Sequence, residues 1–246
     1  RLNRVKEFMK RALAKYQPSE NNFPVLHTSG KFTEQSTASA PFSAITEVLE
    51  RLVGTICRSD DLQSKVKGRI AVSELIGSGR EGNQVLRATF PVLAPLLGSS
   101  SADSVHPSMS AIKECTCELF SSAICDSLDH PLIFFLDDLQ WGDEASIEML
   151  SFLLSSRKLR NILFICSFRS NEVHAEHSFA KMKENIMSVR SSTTQSIDLF
   201  NLSPEAVTKF IADTVRKDEA EEVADLAEAV YKKTMGNIFF VIQALE

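Results

Sequence analysis

The sequence has no apolar run approaching the roughly 20 residues that a membrane-spanning helix needs, and no internal repeat or low-complexity tract. It also lacks a basic excess. Its 27 Lys and Arg stand against 32 Asp and Glu, giving a net charge of −5 and a pI near 5.6. That balance argues against non-specific binding to nucleic acid or to an acidic membrane surface. Cysteine is scarce. Cys57, Cys115, Cys117, Cys125 and Cys166 form an odd, scattered set, which reads as the reduced thiols of an intracellular protein. None of their spacings resembles paired zinc ligands. The histidines, His27, His106, His130, His174 and His177, are dispersed, and no Ser-His-Asp or Cys-His arrangement can be assembled.

Nucleotide-binding loops are imitated rather than present. "HTSGKFT" holds Gly30 and Lys31, but a phosphate loop needs an earlier Gly and a Ser or Thr after the Lys. Val25 and Phe32 occupy those places. "GSGREG", residues 77–82, fits G-x-G-x-x-G literally, with Asp103 about twenty residues on. That fingerprint requires a strand before it and a sustained helix after it. Here "RIAVSELI" reads as the end of an amphipathic helix, and Pro91 and Pro95 break the pattern on the other side.

What the chain does have is length and apolar content: 246 residues, 43% hydrophobic, enough for a substantial core. Leu2, Val5, Met9 and Leu13 share one face of an opening helix. "FPVLHTSGKF" reads as a strand leaving into a loop, followed by a helix in which Pro41 fits an early helical position. Helices are expected over residues 60–76, 81–89 and 109–128. The pattern then changes. "PLIFFLDD" and "NILFICSFR" are continuous apolar runs of the kind buried on both faces of a parallel sheet. Between them, Ile147, Leu150 and Leu154 fall at helical spacing. A third run, "QSIDLF", is a weaker strand candidate, and everything from Ser203 onward reads as helix. Alternating strands and helices give an α/β fold with a parallel sheet and crossover helices. The expected division is a core over residues 1–202 and a small helical lobe over 203–246.

The chemistry concentrates where "LIFFLDD" ends. Ligands in open parallel sheets bind beyond the carboxyl ends of strands, and this strand delivers Asp137 and Asp138 there. One carboxylate could hold a hydrated magnesium ion; its neighbour could orient or deprotonate a water for attack on a γ-phosphate. The competing reading is a core strand whose exit turn happens to be acidic. Asp143 is expected to cap the next helix, with Glu144 favoured by the helix dipole. Arg169, at the end of the following strand, could stabilise phosphate charge or simply answer nearby acids.

"HPLIFFLDDLQWGDEASIEMLSFLL" resembles the Walker B region of signal-transduction ATPases of the AAA+/STAND group, specifically the origin-recognition-complex-like AAA domain. Such domains occur in bacterial transcriptional activators, large adenylate cyclases and hybrid histidine or serine/threonine kinases. Further blocks resemble the family in order: "SGKFTEQSTASAPFSAI", "FPVLAPLLG", "FICSFRSNEV", "DLFNLSPEAV" and "VYKKTMGNIFFVIQAL". The resemblance implies a P-loop NTPase-type parallel sheet with flanking helices and a small helical lid. It implies ATP and Mg2+ as cofactors, with Asp137 as the magnesium-associated acid and Asp138 as the acid of water activation. Arg169 would be the sensor arginine, and Gly236 and Asn237 would belong to the lid motif that contacts nucleotide. Trp141 and Asp143 would position the strand exit.

Two departures stand out. The family's G-x-x-x-x-G-K-[ST] loop sits just upstream of the helix that here begins at Arg1, so the chain reads as a fragment missing its first strand and phosphate loop. In that form it is expected to bind ATP poorly. Ile238 stands where the lid usually has proline, so lid closure is expected to differ. The resemblance also implies neighbouring signalling domains and a possible homo-oligomer. The lack of a long apolar run points to no membrane, and the cysteines and acidic balance to a cytoplasmic setting. The alternative from another class is a catalytically inactive scaffold or interaction module without nucleotide. A DNA-associated origin-recognition ATPase fits less well, given the acidic balance and no winged-helix pattern.

Overall fold

The computed structural model describes residues 26–34, 41–75, 79–98, 106–128, 131–190, 193–215 and 220–245. The helix expected at the start of the chain lies outside them. The chain divides into two compact units, Arg1–Thr194 and Gln195–Glu246.

The first unit is an α/β structure around a parallel sheet of three strands: β1 (His27–Lys31), β2 (Leu132–Asp137) and β3 (Ile162–Cys166), in the order β1-β2-β3. Lys31 stands opposite Asp137, and Leu136 opposite Cys166. In the central strand, residues 132–136 are all buried. Leu132, Phe134 and Leu136 face the main core, while Ile133 and Phe135 form a smaller cluster with Ile165 on the opposite face. Each such large side chain, fully buried, contributes roughly 1.5–3 kcal/mol. Phe134 stacks on Phe164 and meets Phe120 edge-on, with centroids 5.1 and 5.2 Å away. Burial on both faces holds for β2 but not for β3, where Leu163 is 47% exposed. β3 is an outer strand among the described residues.

β1 is polar in sequence yet well fixed. Thr28 donates its hydroxyl to the Val48 carbonyl at 2.7 Å. Gly30 lets helix α1 (Ser43–Ile56) lie directly on the strand, since a Cβ there would come within 2.5 Å of the Ala44 carbonyl oxygen. α1 buries Ile45, Val48, Leu49, Leu52 and Ile56, a 3.6-residue stripe. Its start differs from expectation. Pro41 is not helical but precedes the cap residue Phe42, whose φ of 66° is left-handed. Burial of the Phe42 ring against Phe90, centroids 5.6 Å apart, offsets that backbone cost of about 1–2 kcal/mol.

Helices α2 (Asp60–Leu75) and α3 (Gly79–Thr89) occupy the expected places. Gly79 and Gly82 of "GSGREG" lie inside α3 and come after a helix, so the dinucleotide fingerprint fails on context. The long helix expected over 109–128 begins as α4 (Met109–Glu118), then widens into a π segment, Leu119–Ile124, and closes as a 3-10 turn. α5 (Glu144–Ser155) links β2 to β3, and α6 (Ser178–Val189) comes after β3.

The second unit packs α7 (Pro204–Val215), α8 (Ala224–Thr234) and α9 (Ile238–Gln243) around Val207, Ile211, Val230 and Val241. "QSIDLF" is not a strand, contrary to expectation. Residues 195–200 have no regular structure, and Ile197 and Phe200 are 73% and 88% exposed. Its alternation satisfies the sequence pattern, but a strand persists only with a partner to pair with. Among the described residues, no helix is long and apolar enough to cross a membrane.

Candidate functional site

The site is built at the carboxyl ends of all three strands. β2 ends at Asp137, and the next residue, Asp138, turns sharply with φ 56° and ψ 47°. Aspartate tolerates this left-handed conformation better than most residues. The reversal starts a short 3-10 turn, Leu139–Trp141, leading to α5. Neighbouring strands pin the exit. Phe32 N–H donates to the Asp137 carbonyl at 3.0 Å, and Leu139 N–H donates to the Ser167 carbonyl at 3.0 Å.

Asp137 is half-buried, and its Oδ1 accepts a hydrogen bond from the Ser167 hydroxyl. Asp138 is more tightly engaged. Lys31 Nζ, from the end of β1, lies 3.1 Å from Oδ2, and Gln140 Nε2 donates to Oδ1 at 3.1 Å. Arg169 Nε, beyond β3, is 3.8 Å from Oδ1. Burial pushes the Asp138 acid upward, but the hydrogen bonds from Gln140 and Lys31, with the charges of Lys31 and Arg169, outweigh it. The carboxyl is held below its ordinary value. Arg169 is itself shared, donating to Glu172 at 2.8 Å.

The two carboxylates and the arginine singled out from sequence thus meet at one end of the sheet, with Asp138 and Arg169 in an ion pair. Asp143 caps α5 as expected: its Oδ1 accepts from Ser146 N–H at 2.8 Å and its Oδ2 from the Ser146 hydroxyl at 2.6 Å. Trp141 packs partly buried against the main core.

Gly236 and Asn237 lie in the second unit, in the turn between α8 and α9. Gly236 has φ 74°, and a Cβ there would sit 2.0 Å from the Leu202 carbonyl oxygen. Its own carbonyl accepts from Leu202 N–H at 2.8 Å. Asn237 caps α9, accepting from Phe239 N–H at 3.1 Å. Ile238 is the first residue of that helix.

Three neighbours of the acids carry no signal of their own in the sequence: Lys31, Gln140 and Ser167. Lys31 sits in "HTSGKFT", which is no phosphate loop. Strand register brings it to Asp138 instead. His177 Nε2 lies 3.1 Å from the Gln140 carbonyl.

Among the described residues, no three His, Cys, Asp or Glu side chains gather as a metal cage. Magnesium does not require one, since it keeps several waters and uses one or two carboxylates together with phosphate oxygens. Asp137, with the Ser167 hydroxyl beside it, fits that donor set.

A family model described as an AAA ATPase domain matches residues 5–165. The match takes in β1, β2 and both aspartates and ends before Arg169. No curated protein and no solved structure matches the chain.

Proposed function

The chain belongs to the AAA ATPase domain family, and on that premise we propose that it is an ATP-binding, ATP-hydrolysing switch domain of a larger signalling protein. The type is the origin-recognition-complex-like STAND ATPase. The observation that carries the reading is the pair of acids at the exit of the central parallel strand, with Lys31 and Arg169 converging on Asp138 from the two flanking strands.

In this reading Asp137 associates with magnesium. When bound with ATP, the ion neutralises charge on the phosphates. Asp138 orients the attacking water. A carboxylate held below its ordinary value is a weak proton acceptor, so its contribution is direction rather than full deprotonation. Arg169 senses the phosphate end and stabilises charge there. Gly236 and Asn237 belong to the lid, where the helical unit would respond to nucleotide and pass the change to neighbouring domains.

The test is Asp137→Asn in the full-length protein. Magnesium-dependent ATP hydrolysis should fall to background, while the thermal midpoint stays close to wild type. Turnover equal to wild type would sink the role of Asp137, whereas a wild type without magnesium-dependent hydrolysis would favour a nucleotide-independent scaffold.

A further inference from the structure

Gln140 is 5% exposed, a position where an amide must find partners for both of its ends. It does, and they are different in kind. Nε2 donates to Asp138 Oδ1 at 3.1 Å, and Oε1 accepts from the Arg169 backbone N–H at 3.2 Å. Only this orientation of the carboxamide works, because the carboxylate can only accept and the backbone N–H can only donate. One buried side chain therefore bridges the acid after β2 to the backbone of the arginine after β3.

Gln140 is held in turn. Its carbonyl lies 3.1 Å from His177 Nε2, while His177 Nδ1 accepts from Phe179 N–H at 3.1 Å at the start of α6. With Nδ1 accepting, a neutral ring carries its proton on Nε2 and donates it to Gln140. The residue is thus fixed through its side chain and its main chain together.

The consequence for Asp138 is geometric. A carboxylate offers about four acceptor positions. Lys31 takes one on Oδ2 and Gln140 takes one on Oδ1, where Arg169 Nε also stands 3.8 Å away, so Oδ2 keeps a position for water. Without the Gln140 contact the carboxylate would be free to rotate about its last bond and follow Lys31, a long side chain that is 56% exposed. We infer that Gln140 is a positioning residue for hydrolysis: its buried carboxamide sets the direction of the Asp138 carboxylate and locks it to the Arg169 strand exit. This rests on the hydrolytic reading above.

The experiment uses the full-length protein with magnesium-ATP. Gln140→Met keeps the volume but neither hydrogen bond. It should lower kcat about 10- to 100-fold while KM stays within about two-fold, the pattern of a group misplaced in the transition state rather than a lost binding contact. Gln140→Asn keeps the amide but is too short to reach both partners. It should lower kcat in the same direction, and it carries the test if the Met variant does not fold. Unchanged kcat in a folded variant, or a loss confined to KM, overturns the inference. A wild type without magnesium-dependent hydrolysis overturns the hydrolytic reading and this inference with it. Hydrolysis that is lost in Asp137→Asn yet intact in Gln140→Met overturns this inference alone.

Discussion

At Asp138 burial favours the neutral acid, whereas Gln140, Lys31 and Arg169 favour the carboxylate, and together the donors win. A folded-state pKa below the unfolded one stabilises the fold above the unfolded value. That stability is lost as pH falls through the folded value, because the unfolded chain then binds the proton first. Asp138→Asn should therefore cost stability at neutral pH, and the gap from wild type should close on acidification. Urea midpoints of both proteins between about pH 7 and about pH 3 would show it. A gap that widens in acid would contradict the ion-paired picture. The effect should be modest, because Lys31 and Arg169 are both more than half exposed and water screens their charges. The placement of Asp137, Asp138 and Arg169 at and beyond the strand ends is legible in the sequence because it follows from where the apolar runs stop. Lys31, Gln140 and Ser167 are not, because their significance lies in pairing: Lys31 meets Asp138 only once β1 and β2 are in register.

Among the elements, legibility tracks burial. β2 announces itself because a strand covered on both faces must be apolar throughout, and the structure buries five consecutive residues of it. β1 reads as little more than a strand running into a loop, since "HTSGK" draws its fit from one threonine hydroxyl and one glycine rather than from apolar content. The π segment at Leu119–Ile124 is invisible to a 3.6-residue pattern, because the apolar residues on either side still fit a helix. "QSIDLF" errs the other way, offering alternation without a partner strand. The cap of α5 is legible and testable. Asp143→Ala removes the bonds to Ser146 and should destabilise the fold by about 1 kcal/mol, read as a lowered urea midpoint with an unchanged slope. An unshifted midpoint would show that water replaces the cap at no cost.

On the scale of the whole molecule, the sequence places a helical lobe after the sheet, and the structure divides the chain at Thr194 and Gln195. Residues beyond that point carry exposed apolar side chains on irregular backbone, Phe200 above all. Exposed backbone of this kind fits readily into a protease cleft. Brief chymotrypsin treatment of the native protein should cut first after Phe200, with the fragments identified by mass; a first cut inside β2 or α5 would contradict the division. The left-handed turn at Asp138 bears on ancestry as well as on local chemistry. Asparagine and glycine suit that backbone as well as aspartate does, and each lies one nucleotide away in the genetic code. A lineage could therefore abandon the acid while its descendants went on folding, so that loss of the carboxylate in a paralogue would leave no trace in its shape.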